Sequence, residues 1–339
     1  MSLRHTLILA GIGFAFTSGC ATNQDAPSEL FAAMIMTKEQ QASSTPTDSG
    51  VLLHDTSSGT WKRIGPKVMI ILSAVADPSD PKTMFFACGN GIVRTKDGGE
   101  SWRLVTGWRE SDVLQIAIDP EDGNSVYAAS CWGVTVSRDG GDTWSASNTG
   151  LPEYFSKGIV LDHLNTNRLL LATTTGLFQS KDRAKSWKRV KSFPETAVLR
   201  LRRSASDANV WIAGTEGIGV WISKDDGKSW KASATALKTA NVYAVAIHPE
   251  NSSMLAAGGW DTGVYISSDG GNSWSLSSKD LPSQNITSMV FDENTPNRLW
   301  VSTFEEGTYY SDDSGQTWES GNLYGAYVYD LGFLPAITQ

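Results

Sequence analysis

Six aspartates, Asp97, Asp139, Asp182, Asp225, Asp269 and Asp313, share one setting, with Ser or Thr two residues before each and Trp five residues after, at Trp102, Trp144, Trp187, Trp230, Trp274 and Trp318. Carboxylates in such number could ligate Ca²⁺ or act as acid and base in a hydrolysis. These turns lack the ligand density of a dedicated calcium loop, and His54, His163 and His248 show no metal-ligand spacing. No metal and no cofactor is expected. A second set of carboxylates, Asp112, Glu216, Asp261, Glu305 and Glu306, falls on turns outside that motif. Two of them facing across a groove, roughly 5 to 10 Å apart, could cleave a glycosidic bond. Exposed acidic turns are also the default for a chain of net charge −8.

Aromatic residues offer a different chemistry. Trp108, Trp132 and Trp260 sit in turns, whereas Trp211, Trp221 and Trp300 sit in strand-like runs and read as core. Aromatics projecting from loops anchor protein partners and stack on sugar rings, and with Tyr154, Phe155 and the acidic turns they could form one mixed surface. The alternative is that they cap an internal channel. "LRLRRS" places Arg200, Arg202 and Arg203 in one strand-like run, either as a contact for an acidic partner or as a channel lining paired with carboxylates such as Glu195 or Glu216. The acidic balance argues against nucleic acid, whose binding needs basic surface.

The elements that must position these residues follow from the repeat. Successive motif aspartates are 42, 43, 43, 44 and 44 residues apart, the length of one four-stranded propeller blade. Stepping back from Asp97 reaches Asp55 in "DTSSGTW", a stretched seventh copy. Each full repeat reads as four strands: "VLQIAID", "SVYAAS", "GVTVSRD" and "TWSASN". The chain opens on the third and fourth strands of a repeat, "GVLLHDTSSGTWKRI", and closes on a first strand, "AYVYDLGFLP". The expected fold is all-β: a seven-bladed propeller over residues 51–335 with six full blades and one composite blade closed by the N- and C-terminal strands, and a short tail at 336–339. The motif then becomes a joint between the third and fourth strands, its carboxylate bonding the N–H groups of its own turn and its glycine permitting positive φ. "SKDRAKSW", with Ala184 at the glycine position, is expected to be strained or reshaped.

Arg4 and His5 precede an apolar run from Leu7 to Phe16, the length of a signal-peptide core. "TSGC" follows, and it resembles a bacterial lipoprotein signal in which Cys20 is acylated, with Thr17 where that family usually carries Leu. Residues 1–19 are then the signal and 20–50 a tether, within which "ELFAAMIMTKEQQ" could form a short helix. Ala21 after the cysteine implies, by the same resemblance, the outer membrane, with contact to the bilayer through the lipid alone. Export leaves Cys88 and Cys131 in an oxidising compartment, either bridged or as free thiols.

The repeated Ser/Thr-x-Asp-x-Gly-x-x-Trp pattern is similar to the Asp-box (BNR) repeats of sialidases, sortilin-type receptors, certain propeller glucanases and photosystem II assembly factors of the Ycf48/Hcf136 type. That resemblance implies the propeller and places the boxes away from any active site. A sialidase-like site would need an arginine triad and an Arg-Ile-Pro string; the nearest string here, "KRIGP" at Lys62–Pro66, is interrupted by Gly65. The glucanase likeness, in "GVWISKDDGKSW" and "GVYISSDGGNSW", touches framework residues. The Ycf48-type likeness extends to Arg200, Arg202 and Arg203. The resulting expectation is a monomeric, membrane-tethered, non-catalytic binding or assembly module for a protein or envelope glycan, with a glycoside hydrolase as the alternative.

Overall fold

The alternating runs become strands, 28 of them among the described residues, gathered into seven antiparallel four-stranded sheets. The computed structural model describes residues 28–37, 49–67, 70–233 and 237–336; Cys20, the expected signal at 1–19 and the expected 336–339 tail beyond its first residue lie outside them. Six blades are contiguous in sequence: II (71–104), III (113–146), IV (156–189), V (198–232), VI (244–276) and VII (286–320). The all-β, seven-bladed expectation holds; the one helical element described is a single 3₁₀ turn, Trp108–Glu110.

Blade I closes the ring differently in one respect. Its order is Ala326–Pro335, Ser28–Met36, Gly50–Asp55 and Thr60–Ile64. The second strand thus comes from the segment expected to be tether or short helix. Leu30 to Met34 are all buried, so "SELFAAMIM" supplies the largely buried second strand that every other blade has, and a buried apolar run of that length reads equally as helix or strand from sequence. The propeller therefore includes Ser28–Met36: Ser28 pairs with Pro335 and Met36 with Ala326.

Within each blade the first strand lines the central channel and the fourth strand, two residues long in blades II to VII and five in blade I, lies outermost. Second strands such as Leu169–Thr173, Trp211–Thr215 and Leu299–Thr303 are buried throughout, because both their faces pack against neighbouring blades. The core is accordingly seven buried clusters, one at each seam; that between III and IV joins Tyr127, Val134 and Val136 to Leu169, Leu171, Phe178 and Trp187. Six first strands carry a β-bulge near their start or, in blade I, in mid-strand, as between Val198 and Arg200.

The boxes are joints, as expected. In blade II the Asp97 carboxylate accepts from the Thr95 hydroxyl at 2.6 Å and the Ser101 N–H at 2.9 Å, while Gly99 N–H donates to Thr95 Oγ1 at 3.0 Å. Blade V repeats this with Asp225, Ser223, Ser229 and Gly227. The tryptophans knit the seams: Trp187 Nε1 donates to Ser147 O at 2.8 Å and Trp318 Nε1 to Ser277 O at 2.7 Å, each in the preceding blade's outer end. Asp55 departs from the pattern. Leu53 stands where the boxes carry a hydroxyl, the carboxylate takes Ser57 and Ser58 instead, and Asp55 pairs directly with Thr60, so the seventh copy is a plain hairpin turn and six true boxes remain.

Candidate binding face

Chain direction fixes which residues share a rim. The turns between first and second strands, and the boxes between third and fourth, lie at one end of the ring. The turns between second and third strands, and the connections between blades, lie at the other. Arg168 and Arg298 fall at the box end, bonded to Asp226 at 2.6 Å and Asp312 at 2.7 Å.

Trp108, Trp132 and Trp260 all reach the rim opposite the boxes, with 82%, 61% and 46% of their surface exposed. They do not form one patch. Trp108 in the II–III connection, Trp132 in the turn of blade III, and Tyr154 and Phe155 in the III–IV connection make one group, trimmed by Arg109 over Trp108 at 5.1 Å and Lys157 over Phe155 at 5.9 Å. Trp260 belongs to blade VI across the ring. Its ring packs edge-on against Phe304, Phe304 against Tyr327, and Tyr327 against Tyr329, with centroids 5.2, 5.5 and 4.5 Å apart. Trp260 therefore starts an aromatic path into the channel mouth, the capping arrangement, whereas the Trp108 and Trp132 group faces outward.

The carboxylates are dispersed. Asp112 lies between blades II and III, Glu216 in blade V, Asp261 in blade VI, and Glu305 with Glu306 in blade VII. The Asp112 carboxylate accepts from Trp132 Nε1 at 3.2 Å and Ser111 Oγ at 2.9 Å, so it orients the tryptophan. Asp112, Asp261 and Glu305 hold left-handed backbone, with φ of 52°, 55° and 64°, and this conformation serves their turns: Glu305 N–H bonds Ala326 O and Asp261 N–H bonds Asn285 Oδ1. Among the described residues, no three His, Cys, Asp or Glu side chains are grouped to hold a metal.

The arginines part company. The bulge at the start of its strand sets Arg200 and Arg202 toward the channel, where both meet Asp330 Oδ1, at 3.1 and 3.0 Å. Asp330 lies in blade I, three blades away, so the cluster spans the channel. Arg200 also donates to Tyr329 O at 2.7 Å and Tyr243 O at 3.3 Å. Burial pulls the Arg200 guanidinium below its usual value against the opposing pull of Asp330. The partner is thus neither Glu195 nor Glu216; Glu195 pairs with Arg189, and Glu216 stands exposed on its turn. Arg203 points the other way, between blades IV and V at the box end. It bonds Asp162 at 2.8 Å and His163 Nδ1 at 3.0 Å and covers Trp211 together with Arg168. With a side chain 4% exposed, it leaves the set of surface-binding candidates.

Cys88 and Cys131 are free thiols, the first buried and the second half-buried. Burial pushes the Cys88 thiol up to about 12. Sequence reading missed Tyr327, Tyr329 and Asp330 as channel residues. The alternation in "AYVYD" of the closing first strand carried that information for Tyr327 and Tyr329, which are two apart and share a face, whereas Asp330 follows a bulge at Tyr329 that alternation does not show.

Residues 218–329 match the family described as Sortilin, neurotensin receptor 3 (Sortilin-Vps10). No curated protein matches the chain. Among solved structures, an ancestral GH74 enzyme superposes with a TM-score of 0.62 at 18% identity, covering 74% of this chain and 38% of that one. The GH74 xyloglucanase from Xanthomonas campestris gives 0.61 at 19% identity, over 76% and 46%. Ycf48 bound to D1 peptide gives 0.60 at 20% identity, over 76% and 83%. The chain spans less than half the length of either GH74 enzyme, and likeness at these identities speaks for the fold. Its own repeats and these likenesses together make the chain a seven-bladed Asp-box β-propeller, similar to the sortilin-type, Ycf48 and GH74 propellers.

Proposed function

We propose that this propeller is a non-catalytic binding or assembly module that holds a protein partner on the rim opposite its boxes, and that it is exported and lipid-anchored through Cys20. The observation that carries this reading is the outward group of Trp108, Trp132, Tyr154 and Phe155, each at least 40% exposed. Clustered exposed aromatics mark interaction sites, and tryptophan and tyrosine dominate binding hot spots. Asp112 holds Trp132 in place, which lowers the entropy lost when a partner docks. A propeller of this fold bound to a peptide supports the same use of the architecture. A glycoside hydrolase would need two carboxylates converging on one bond, and Asp112 is already engaged with Trp132 Nε1 and Ser111 Oγ.

The test is capture from detergent-solubilised envelope. The whole chain is expected to retain a protein that a Trp108→Ala/Trp132→Ala variant loses by at least about tenfold, while Glu305→Gln/Glu306→Gln captures normally. Release of reducing sugar from envelope polysaccharide, abolished by the Glu305→Gln/Glu306→Gln change, would overturn the reading in favour of a hydrolase. Incorporation of labelled palmitate, lost in Cys20→Ser, tests the anchor.

A further inference from the structure

We infer that the propeller stands on the membrane on its Asp-box rim, with lysines of blades IV and V resting on anionic lipid headgroups and the aromatic rim turned away from the bilayer. This rests on the proposed lipidation of Cys20. Ser28, where the described chain begins, lies at the box end: it pairs with Pro335, the last residue of a strand running toward the boxes, and exchanges hydrogen bonds with Asn294 in the first-to-second-strand turn of blade VII.

Reach decides the orientation. Residues 21–27 separate Cys20 from Ser28, and fully extended they span at most roughly 25 to 29 Å. Ser28–Met36, eight steps at 3.2–3.4 Å, rises about 26 to 27 Å from the box rim to the other rim. Fully extended, a tether of that length only matches the height of the ring, which leaves nothing to pass around its wall and seat the lipid in a bilayer lying against the opposite rim.

Charge points the same way. Lys181 and Lys185 in the box of blade IV, Lys224 and Lys228 in the box of blade V, and Lys188 and Lys231 just after the two box tryptophans are all exposed. Among the described residues none of the six forms an ion pair, in a chain whose net charge is −8. A recess of about 480 Å³ between the boxes of blades V and VI has Lys224 and Lys231 in its wall. Near blade I the same rim is acidic, with Glu29, Asp55 and Glu293 close to Ser28. The lipid holds that corner and the lysines hold the far side of the ring, so the rim lies flat. Juxtamembrane lysines bind anionic lipid surfaces in this manner.

The whole lipidated chain, reconstituted into phosphatidylcholine vesicles with and without phosphatidylglycerol, tests this with a bulky polymer maleimide. Native Cys131 reports the aromatic rim, and Glu100→Cys, on the box turn of blade II, reports the other. Labelling of Glu100→Cys should be at least about tenfold slower on phosphatidylglycerol vesicles than in detergent, with Cys131 unchanged, and Lys181→Glu/Lys185→Glu/Lys224→Glu/Lys228→Glu should abolish the protection. Protection of Cys131 instead, a box rim indifferent to phosphatidylglycerol or to the lysines, or a chain that acquires no lipid would each overturn the inference. Partner capture on the same vesicles separates the two readings: capture lost with the box rim protected refutes the binding face alone, and capture kept with the box rim open refutes the orientation alone.

Discussion

Ala184 holds a φ of 65° at the box position where the other five carry glycine, and it is fully buried. A methyl group at Gly271 or Gly315 would strike the Cδ1 atom of Ile222 or Ile266 in the preceding blade, at 2.1 and 2.8 Å. In the preceding blade of Ala184 that position is Val136, which has no Cδ1, and the two share one buried cluster. The shorter side chain therefore admits the methyl. Val136→Ile should destabilise by about 1 to 3 kcal/mol through overpacking. Ala184→Gly alone should stay within about 1 kcal/mol of the parent, because relief of left-handed strain opposes lost burial and a more flexible unfolded chain. Combined, the changes should restore most of the loss, a coupling that urea titration of the four proteins would measure. The glycine-to-alanine change was legible in the sequence, but its compensation was not, since Val136 lies a whole repeat away. At the same scale, Asp97, Asp225, Asp269 and Asp313 are lowered from 3.8 to about 2, chiefly by the hydroxyl four residues on, helped by turn N–H groups and the preceding Ser or Thr. A carboxyl lowered on folding contributes stability above its unfolded value, lost as pH falls through the folded one. Urea midpoints should thus decline between about pH 4 and pH 2, and less steeply in Asp97→Asn.

Among elements, the Ser28–Met36 strand has the largest consequence. Deleting residues 1–27 should leave the melting temperature of the domain unchanged, whereas deleting residues 1–36 should leave Ala326–Pro335 and Gly50–Asp55 with unpaired edges and send the protein into aggregates, read by scattering and size exclusion. The period of the boxes and the alternation of the first strands made the blades and the identity of both closing ends legible. The strand at Ser28–Met36 was hidden because its continuous apolar run has no period of its own and its partners come from the other end of the chain. The split of the aromatics was hidden for a related reason: Trp132 and Trp260 occupy equivalent turns, and only ring geometry reveals that one looks outward and the other feeds the channel. The arginine run was legible as unusual, and strand alternation alone sets Arg200 and Arg202 on one face and Arg203 on the other; that the first face is the channel depends on the bulge after Val198, which leaves no mark in the residue types.

For the whole molecule, the cluster of Arg200, Arg202 and Asp330 links blade V to the closing strand of blade I. Asp330 has a side chain only 7% exposed, and removing one partner of a buried ion cluster costs about 3 to 5 kcal/mol. Asp330→Ala should lower stability by that order, and Arg200→Met/Arg202→Met in the same chain should recover part of it, both read by thermal denaturation. The seam between the ends has a further meaning for biosynthesis. Its contacts join positions as far apart as Ser28 and Pro335, 307 residues apart in the sequence (335 − 28), and its last strand is the last described segment of the chain to be made. While a ribosome still holds those residues, Ser28–Met36 waits with one edge bare, six blades can stack but no circle exists, and the most distant contacts form last and slowly. A nascent chain cut short before residue 326 is therefore an open arc with sticky ends, a form that quality-control proteases can tell from the finished product by its edges alone.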